Sequence, residues 1–439
     1  MQVMKWSIMA LAVAAGSTQM AVASSQSESK GFVDDSSLNI LTRSYYMNRD
    51  YRTRGPGTQS YREEWALGLI GNYQSGFTQG TVGFGVDAHA FLGLKLDTGR
   101  GRNGNGLLPV NDDGRAADDY SSAGGAVKVR VSNTVLKYGD LMPANPVFAT
   151  GTARLIPASA EGFMLTSNEI ENLTLDAGHF TSSRDASSTD HDGRILLGYG
   201  GAVDSKQVDY LGGSYLVNDN LSVTLYGSEY KDVWHQYYGN ANYNIPLSDD
   251  QALNFDFNIY RTDEQGKELA GKLDNTIWSL AAAYSMGAHK FTLVHQRSNG
   301  DTPMDYLALD GEPGQFADSI FLGNSVAYGD FNAPNEKSWQ ARYDLNMTTF
   351  GVPGLSFMTR YITGDDIDGT KADPNGVYAG LYGKNQSRWE RDVEVKYVVQ
   401  EGSAKDLSFR LRQATYRSDD FDDDLNQVRL IIEYPLQIM

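Results

Sequence analysis

The chain has 439 residues, 41% of them hydrophobic and 21% charged, with a negative mean hydropathy and a formal charge of −18. Acidity on this scale argues against nucleic acid as a partner, and the absence of cysteine excludes disulfide staples and thiol chemistry. Length alone suggests two or three soluble domains, although a barrel holds this many residues in one unit.

Lys5 precedes an apolar run from Trp6 to Gly16, and Ala21-Val22-Ala23 supplies a small-x-small cleavage pattern. Residues 1–23 therefore read as a secretory signal peptide and 24–439 as a single mature domain. Past that point no run of about eighteen apolar residues occurs, so a membrane can be crossed only with strands. In lipid that means a closed barrel, because every backbone group must be paired internally.

From Ser36 to the end the sequence alternates in polarity. Val82, Phe84 and Val86 begin one apolar line that continues to Leu96; Val127, Val129 and Val131 form another, opposite Lys128 and Arg130. In Gln251–Thr262 the residues Leu253, Phe255, Phe257 and Ile259 share one face, with Asn254, Asp256 and Asn258 on the other. Farther on, Leu355 and Phe357 face away from Arg360. Leu407, Phe409 and Leu411 face away from Arg410 and Arg412, and Val428, Leu430 and Ile432 face away from Arg429 and Glu433. A strand has period two, so a slip of one residue would invert both faces.

About eighteen such segments occur, each near the ten or so residues a tilted membrane strand requires. Short connections (132–133, 218–220, 248–250, 287–288, 401–406) alternate with long ones near 98–124, 142–160, 181–206, 300–336 and 367–387. That alternation predicts an all-β fold, a transmembrane antiparallel β-barrel with short periplasmic turns and long extracellular loops. A soluble sandwich would not place a long loop at every second connection. Aromatic residues at strand ends (Tyr45, Tyr46, Trp65, Trp234, Tyr237, Tyr238, Trp278, Trp339, Trp389) fit interfacial girdles.

If the apolar face meets lipid, the other face lines a pore. On it fall Arg43, Lys128, Arg130, Arg342, Arg360, Arg410, Arg412 and Arg429, most of them on the last strands and on the first, which must close against the last. Arg410 and Arg412 are two apart, about 7 Å along the wall. Such a stripe replaces the hydration of a carboxylate with guanidinium forks at successive depths, each releasing to the next. The alternative is structural pairing with lumenal acids such as Glu390, Glu394 and Glu433. Segment 300–336 carries Asp305, Asp310, Glu312, Asp318 and Asp330; folded inward, it would set acids opposite the basic wall. The tract Asp419–Asp424 reads as external, where divalent cations bridge lipopolysaccharide. No spacing suggests a dedicated metal site or a cofactor.

Tyr45-Tyr-Met-Asn-Arg-Asp50, Ser75–Asp87, Ala123–Arg130, Glu336–Asp344, Val352-Pro-Gly-Leu and Lys405–Gln413 together resemble the outer-membrane porin D (OprD) family of pseudomonads, over essentially the whole mature chain. The resemblance is to its basic amino-acid and carbapenem branch. It implies an eighteen-stranded monomeric channel of the Gram-negative outer membrane, surrounded by lipid and lipopolysaccharide. Such a channel passes small carboxylate-bearing solutes along a basic ladder. It also implies acids at the constriction, and Asp318, Tyr328 and Asp330 match as its cation-recognising side. One departure is the C-terminal Ile438-Met439, where outer-membrane barrels commonly end in an aromatic residue.

Three alternatives stand beside this expectation. One is a porin selective for aromatic or cyclic carboxylates, and another a purely structural or adhesive barrel. The third, also carried by the resemblance, is a serine-type peptidase using His179, Asp232 and Ser319. A triad needs a serine held by a histidine that a carboxylate orients, and no Gly-x-Ser-x-Gly elbow surrounds Ser319.

Overall fold

The computed structural model describes residues 25–203, 205–310 and 318–439. The expected signal peptide and Glu312 lie outside these residues. In chain order the strands are β1 (Ser37–Tyr51), β2 (Tyr61–Gln74), β3 (Val82–Asp97), β4 (Asp119–Val131), β5 (Thr134–Leu141), β6 (Ser159–Ile170), β7 (Leu173–Arg184) and β8 (Ile195–Leu197). Then come β9 (Val208–Asn218), β10 (Leu221–Tyr230), β11 (Trp234–Ser248), β12 (Gln251–Glu264), β13 (Asp274–Met286), β14 (His289–Asn299), β15 (Leu307–Leu309) and β16 (Lys337–Asn346). The last are β17 (Leu355–Asp368), β18 (Lys384–Val398), β19 (Ser408–Ser418) and β20 (Leu425–Gln437). All but β8 and β15 join one 18-stranded sheet, each strand antiparallel to the next. The sheet closes where β1 pairs with β20 in register from Asn39↔Gln437 to Tyr51↔Leu425. Closure removes every edge, so no backbone group is left to lipid.

The alternation sorts the faces as the sequence predicts. Phe84 is 56% exposed and Leu211 66%, and these outward apolar side chains are the ones lipid covers. A cation among them would cost about 2–4 kcal/mol at the midplane, which is why Arg360, Arg410, Arg412 and Arg429 take the inward parity. The strand-end aromatics divide. Trp65, Tyr237, Trp278, Trp339 and Trp389 face out, but Tyr45, Trp234 and Tyr238 are buried inside and contribute to the lumenal core rather than to a girdle.

The long connections are shorter than expected because the strands climb farther: β4 starts at Asp119 and β7 runs to Arg184. The C-terminal departure leaves closure intact, since Ile438 N–H donates to the Leu38 carbonyl at 2.9 Å.

Several of the long loops turn inward. Residues 300–310 and 318–336 lie along the inner wall. Gly323 N–H donates to Ser279 Oγ, Asn324 N–H to Gln296 Oε1, and Gln340 Nε2 to the Gly323 carbonyl, at 2.9–3.0 Å. Within the lumen β15 pairs with β8 from the 185–207 loop. All six side chains of that small sheet are buried, each large one stabilising the junction by about 1.5–3 kcal/mol. The 142–158 loop completes the layer: Tyr260 O–H donates to the Pro146 carbonyl and accepts from Phe321 N–H, joining two loops to β12.

Candidate functional site

Six of the eight expected cations form one continuous lumenal wall across β16, β17, β18, β19, β20 and β1. Registers place Arg342 opposite Arg360, and Arg412 opposite Arg429. Most have a carboxylate. Arg360 reaches Asp392 at 2.7 Å, Arg43 reaches Glu433 at 2.7 Å, and Arg342 grips Asp344 with two nitrogens. Arg412 and Arg410 share Glu394, at 2.6 and 3.8 Å. Glu390 is occupied differently, accepting the N–H groups of Tyr328 and Gly329 and so holding the 300–336 loop down. The wall is therefore an interleaved series of both charges, with arginine in excess.

The excess is concentrated at two residues. Arg429 Nη2 donates to the Ala327 carbonyl, and Arg49 Nε to Gln427 Oε1. Among the described residues neither has a carboxylate within 4 Å. Arg49 follows Arg43 in the same inward parity on β1, a position that the alternation of the sequence already marks as lumenal. Arg154 is not so marked: it stands in the 142–158 loop, where no period applies. Arg43 fixes that loop by donating to the carbonyls of Thr152, Arg154 and Leu155. Burial first, then the nearby Arg49 and Arg429 guanidiniums, lower the Arg154 pKa to about 10, still far above neutrality.

The other two cations go elsewhere. Lys128 and Arg130 have the inward parity but sit at the short-turn end. Lys128 Nζ bonds the Ser75 carbonyl and Asp87, and Arg130 Nε donates to Gln26 Oε1 while its guanidinium covers Phe77.

The expected acidic residues also separate. Asp318 stays accessible, accepting from Thr152 N–H at 2.9 Å and acting electrostatically on Arg154. Thr150, Gly151, Ala153, Arg154, Asp185, Ala186 and Asp318 enclose a cavity of about 50 Å³ that carries both signs of charge. Asp330 is instead saturated by three hydroxyls: Tyr199 and Tyr306 donate to Oδ2 at 2.7 and 2.8 Å, and Ser325 to Oδ1 at 2.6 Å. Tyr328 lies on the basic wall, its ring under Arg49 at 5.5 Å and packed on Tyr416. Asp305, buried, accepts from the N–H groups of Tyr199, Gly200 and Tyr306 and from the Tyr378 hydroxyl. Burial raises its pKa to about 6 against the lowering by those four donors, so it is ionised at neutral pH.

The acidic tract is similarly engaged: Asp423 pairs with Arg54 at 2.7 Å, Asp419 accepts from Ser387, and Asp424 from Ser418 N–H. The peptidase constellation does not assemble. His179 is paired with Asp209 on the outer face, Asp232 with Lys267 in a loop, and Ser319 is buried in the lumen against the Ala149 backbone.

A closed antiparallel barrel with inward loops and a charged lumen is the anatomy of an outer-membrane porin. The chain belongs to the OprD family of outer membrane porins, whose family model matches residues 30–438. It is 55% identical over its full length to Porin D of Pseudomonas aeruginosa, itself matched over its full length. A crystal structure of Pseudomonas aeruginosa OprD superposes with a TM-score of 0.82 at 51% identity, covering 95% of this chain and 99% of that one. Pseudomonas aeruginosa OpdK, solved with vanillate, superposes with a TM-score of 0.82 at 34% identity, covering 93% and 100%. The protein is accordingly a channel of the Gram-negative outer membrane for small solutes.

Proposed function

We propose that the channel carries small carboxylates by facilitated diffusion and prefers those that also bear a cation: basic amino acids, small peptides and carbapenems. The observation that carries this reading is the meeting of Asp318 and Arg154 beside Arg49 and Arg429. A solute carboxylate finds Arg49 and Arg429, which among the described residues have no carboxylate within 4 Å, while Asp318, beside Arg154, is placed for its ammonium or guanidinium. Arg43, Arg342, Arg360, Arg410 and Arg412 extend the positive track, each loosened by an alternating acid so that the carboxylate can move on. Arg130 anchors the N-terminal segment at Gln26, Lys128 ties the wall to Ser75 and Asp87, and both stay out of the track. Asp330 and Tyr328 serve by holding the loops at the constriction.

Liposome swelling tests this. Arginine and lysine are expected to enter faster than glucose, a neutral solute of similar size; equal rates would reduce the protein to a general diffusion pore. A second reading, selectivity for aromatic or cyclic carboxylates, is favoured by the vanillate held by OpdK. It predicts that vanillate outruns arginine in the same assay.

The assembly expected is a monomer, because one chain closes its own lumen and no edge remains to be shared. It should run as a heat-modifiable band on gels, and a stable trimer in native mass spectrometry would contradict this.

A further inference from the structure

The outer face of the barrel sorts its charges around the rim near the long loops. On β1, β2, β4, β6, β9 and β10 the outward positions there hold Asp50, Glu63, Asp119, Glu161, Asp209 and Glu229. On β12, β14, β16, β18 and β19 they hold cations instead, with the acids Asp274 of β13 and Asp365 of β17 between them. Arg261 is matched by Asp263 and Asp274, Lys337 by Asp366, and Arg417 lies 3.8 Å from Asp424.

Arg297 and Arg391 differ from these. Both are exposed, Arg297 Nε donates to Asn299 Oδ1 and Arg391 Nη2 to Gln413 Oε1, and among the described residues neither has a carboxylate within 4 Å. Three tryptophans share this arc. Trp278 is the cross-strand partner of Arg297, Trp339 stacks on His295 at 4.2 Å, and Trp389 stacks on Tyr361, the partner of Arg391. Tryptophan and tyrosine collect where hydrocarbon gives way to headgroups, so they mark the depth of the two arginines.

We propose that this arc is a binding site for the bis-phosphorylated glycolipid of the outer leaflet, lipid A, with Arg297 and Arg391 each holding a phosphate. In a chain of charge −18, two exposed guanidiniums without acids at headgroup depth are complementary to a phosphate, which they meet as a two-pronged fork. Three strand spacings and four residues of register separate their backbones, roughly 20 Å, and the two long side chains, turned toward each other, narrow that to the scale of a disaccharide phosphorylated at both ends. The flanking indole rings pack on the sugar and the upper acyl chains. The proposal rests on the outer-membrane location and not on which solute the pore carries.

The test is native mass spectrometry of the purified full chain in detergent, with added lipid A, dephosphorylated lipid A or phosphatidylglycerol. Lipid A should be retained in preference to both. Arg297→Gln with Arg391→Gln should lower its retention about tenfold, the worth of the lost charge-assisted bonds. Arg261→Gln, whose cation already has two acids, should leave it unchanged. Conductance of the double variant in planar bilayers should be unaltered, because both side chains are outside the lumen. Retention of dephosphorylated lipid A or phosphatidylglycerol as strong as that of lipid A overturns the proposal. So does undiminished retention by a double variant that still conducts.

Discussion

Alanine at both Arg410 and Arg412 is expected to cut amino-acid permeation several-fold while small inorganic cations pass more readily. The two side chains project inward because Phe409 and Leu411, which alternate with them, are committed to lipid. No apolar packing depends on them, so the double variant should assemble and keep its heat-modifiable mobility. What it loses is two cations at successive depths, beside Arg429 on the next strand. It also strands Glu394, which both arginines face, and that anion would itself repel a carboxylate. Adding Glu394→Gln to the double alanine variant separates the two effects. If the arginines carry the solute, the triple variant transports as poorly as the double. If the deficit came from the stranded acid, the triple variant recovers. Lysine at both positions should restore part of the rate, since a point charge attracts a carboxylate without the fork geometry. Original rate and selectivity in the double alanine variant would reduce both residues to structural partners of Glu394.

What the sequence disclosed about this pore, and what it did not, follows from the information that strand parity carries. Parity fixes the face: every one of Arg43, Lys128, Arg130, Arg342, Arg360, Arg410, Arg412 and Arg429 does point inward. It says nothing of height along the barrel, so Lys128 and Arg130, near the short turn at 132–133, were grouped with arginines whose surroundings they do not share. It is silent on partners too. Asp330 has the composition of a cation site, but two tyrosines from different loops, Tyr199 and Tyr306, close over it, and only the fold brings them there. Arg154 is the opposite case, a loop residue with no pattern around it, delivered to the basic wall because Arg43 grips the backbone at 152–155. His179 and Ser319 were separable in principle, since His179 shares the outward parity of Leu175 and Ala177. A lipid-facing histidine has no route to a serine in the lumen.

Asp305→Ala is expected to open the constriction outright, with higher conductance and weaker discrimination between arginine and glucose. The carboxylate joins three loops. It accepts from Tyr199 and Gly200 in the 185–207 loop, from Tyr306 in its own loop, and from Tyr378 in the 369–383 loop. Hydrogen bonds to a charged group contribute about 1.5–3 kcal/mol each, and although the four are not additive, their joint loss leaves three buried N–H groups without an acceptor. About 1.4 kcal/mol is a factor of ten in population, so losing even two such bonds raises the share of time the β8–β15 junction is separated by roughly a hundredfold or more. Asp330 and its tyrosines hang on the same junction, because Tyr199 and Tyr306 take their backbone positions from Asp305. The barrel strands do not depend on it, and the variant should still be heat-modifiable. Asn at this position keeps the shape and one accepting oxygen but turns an amide N–H toward backbone donors, so its conductance should fall between the two. Single-channel recording and limited proteolysis of the inner loops read the effect independently. An alanine variant with unchanged conductance and loops as resistant to protease as before would mean that the apolar packing of β8 on β15 holds the constriction without Asp305.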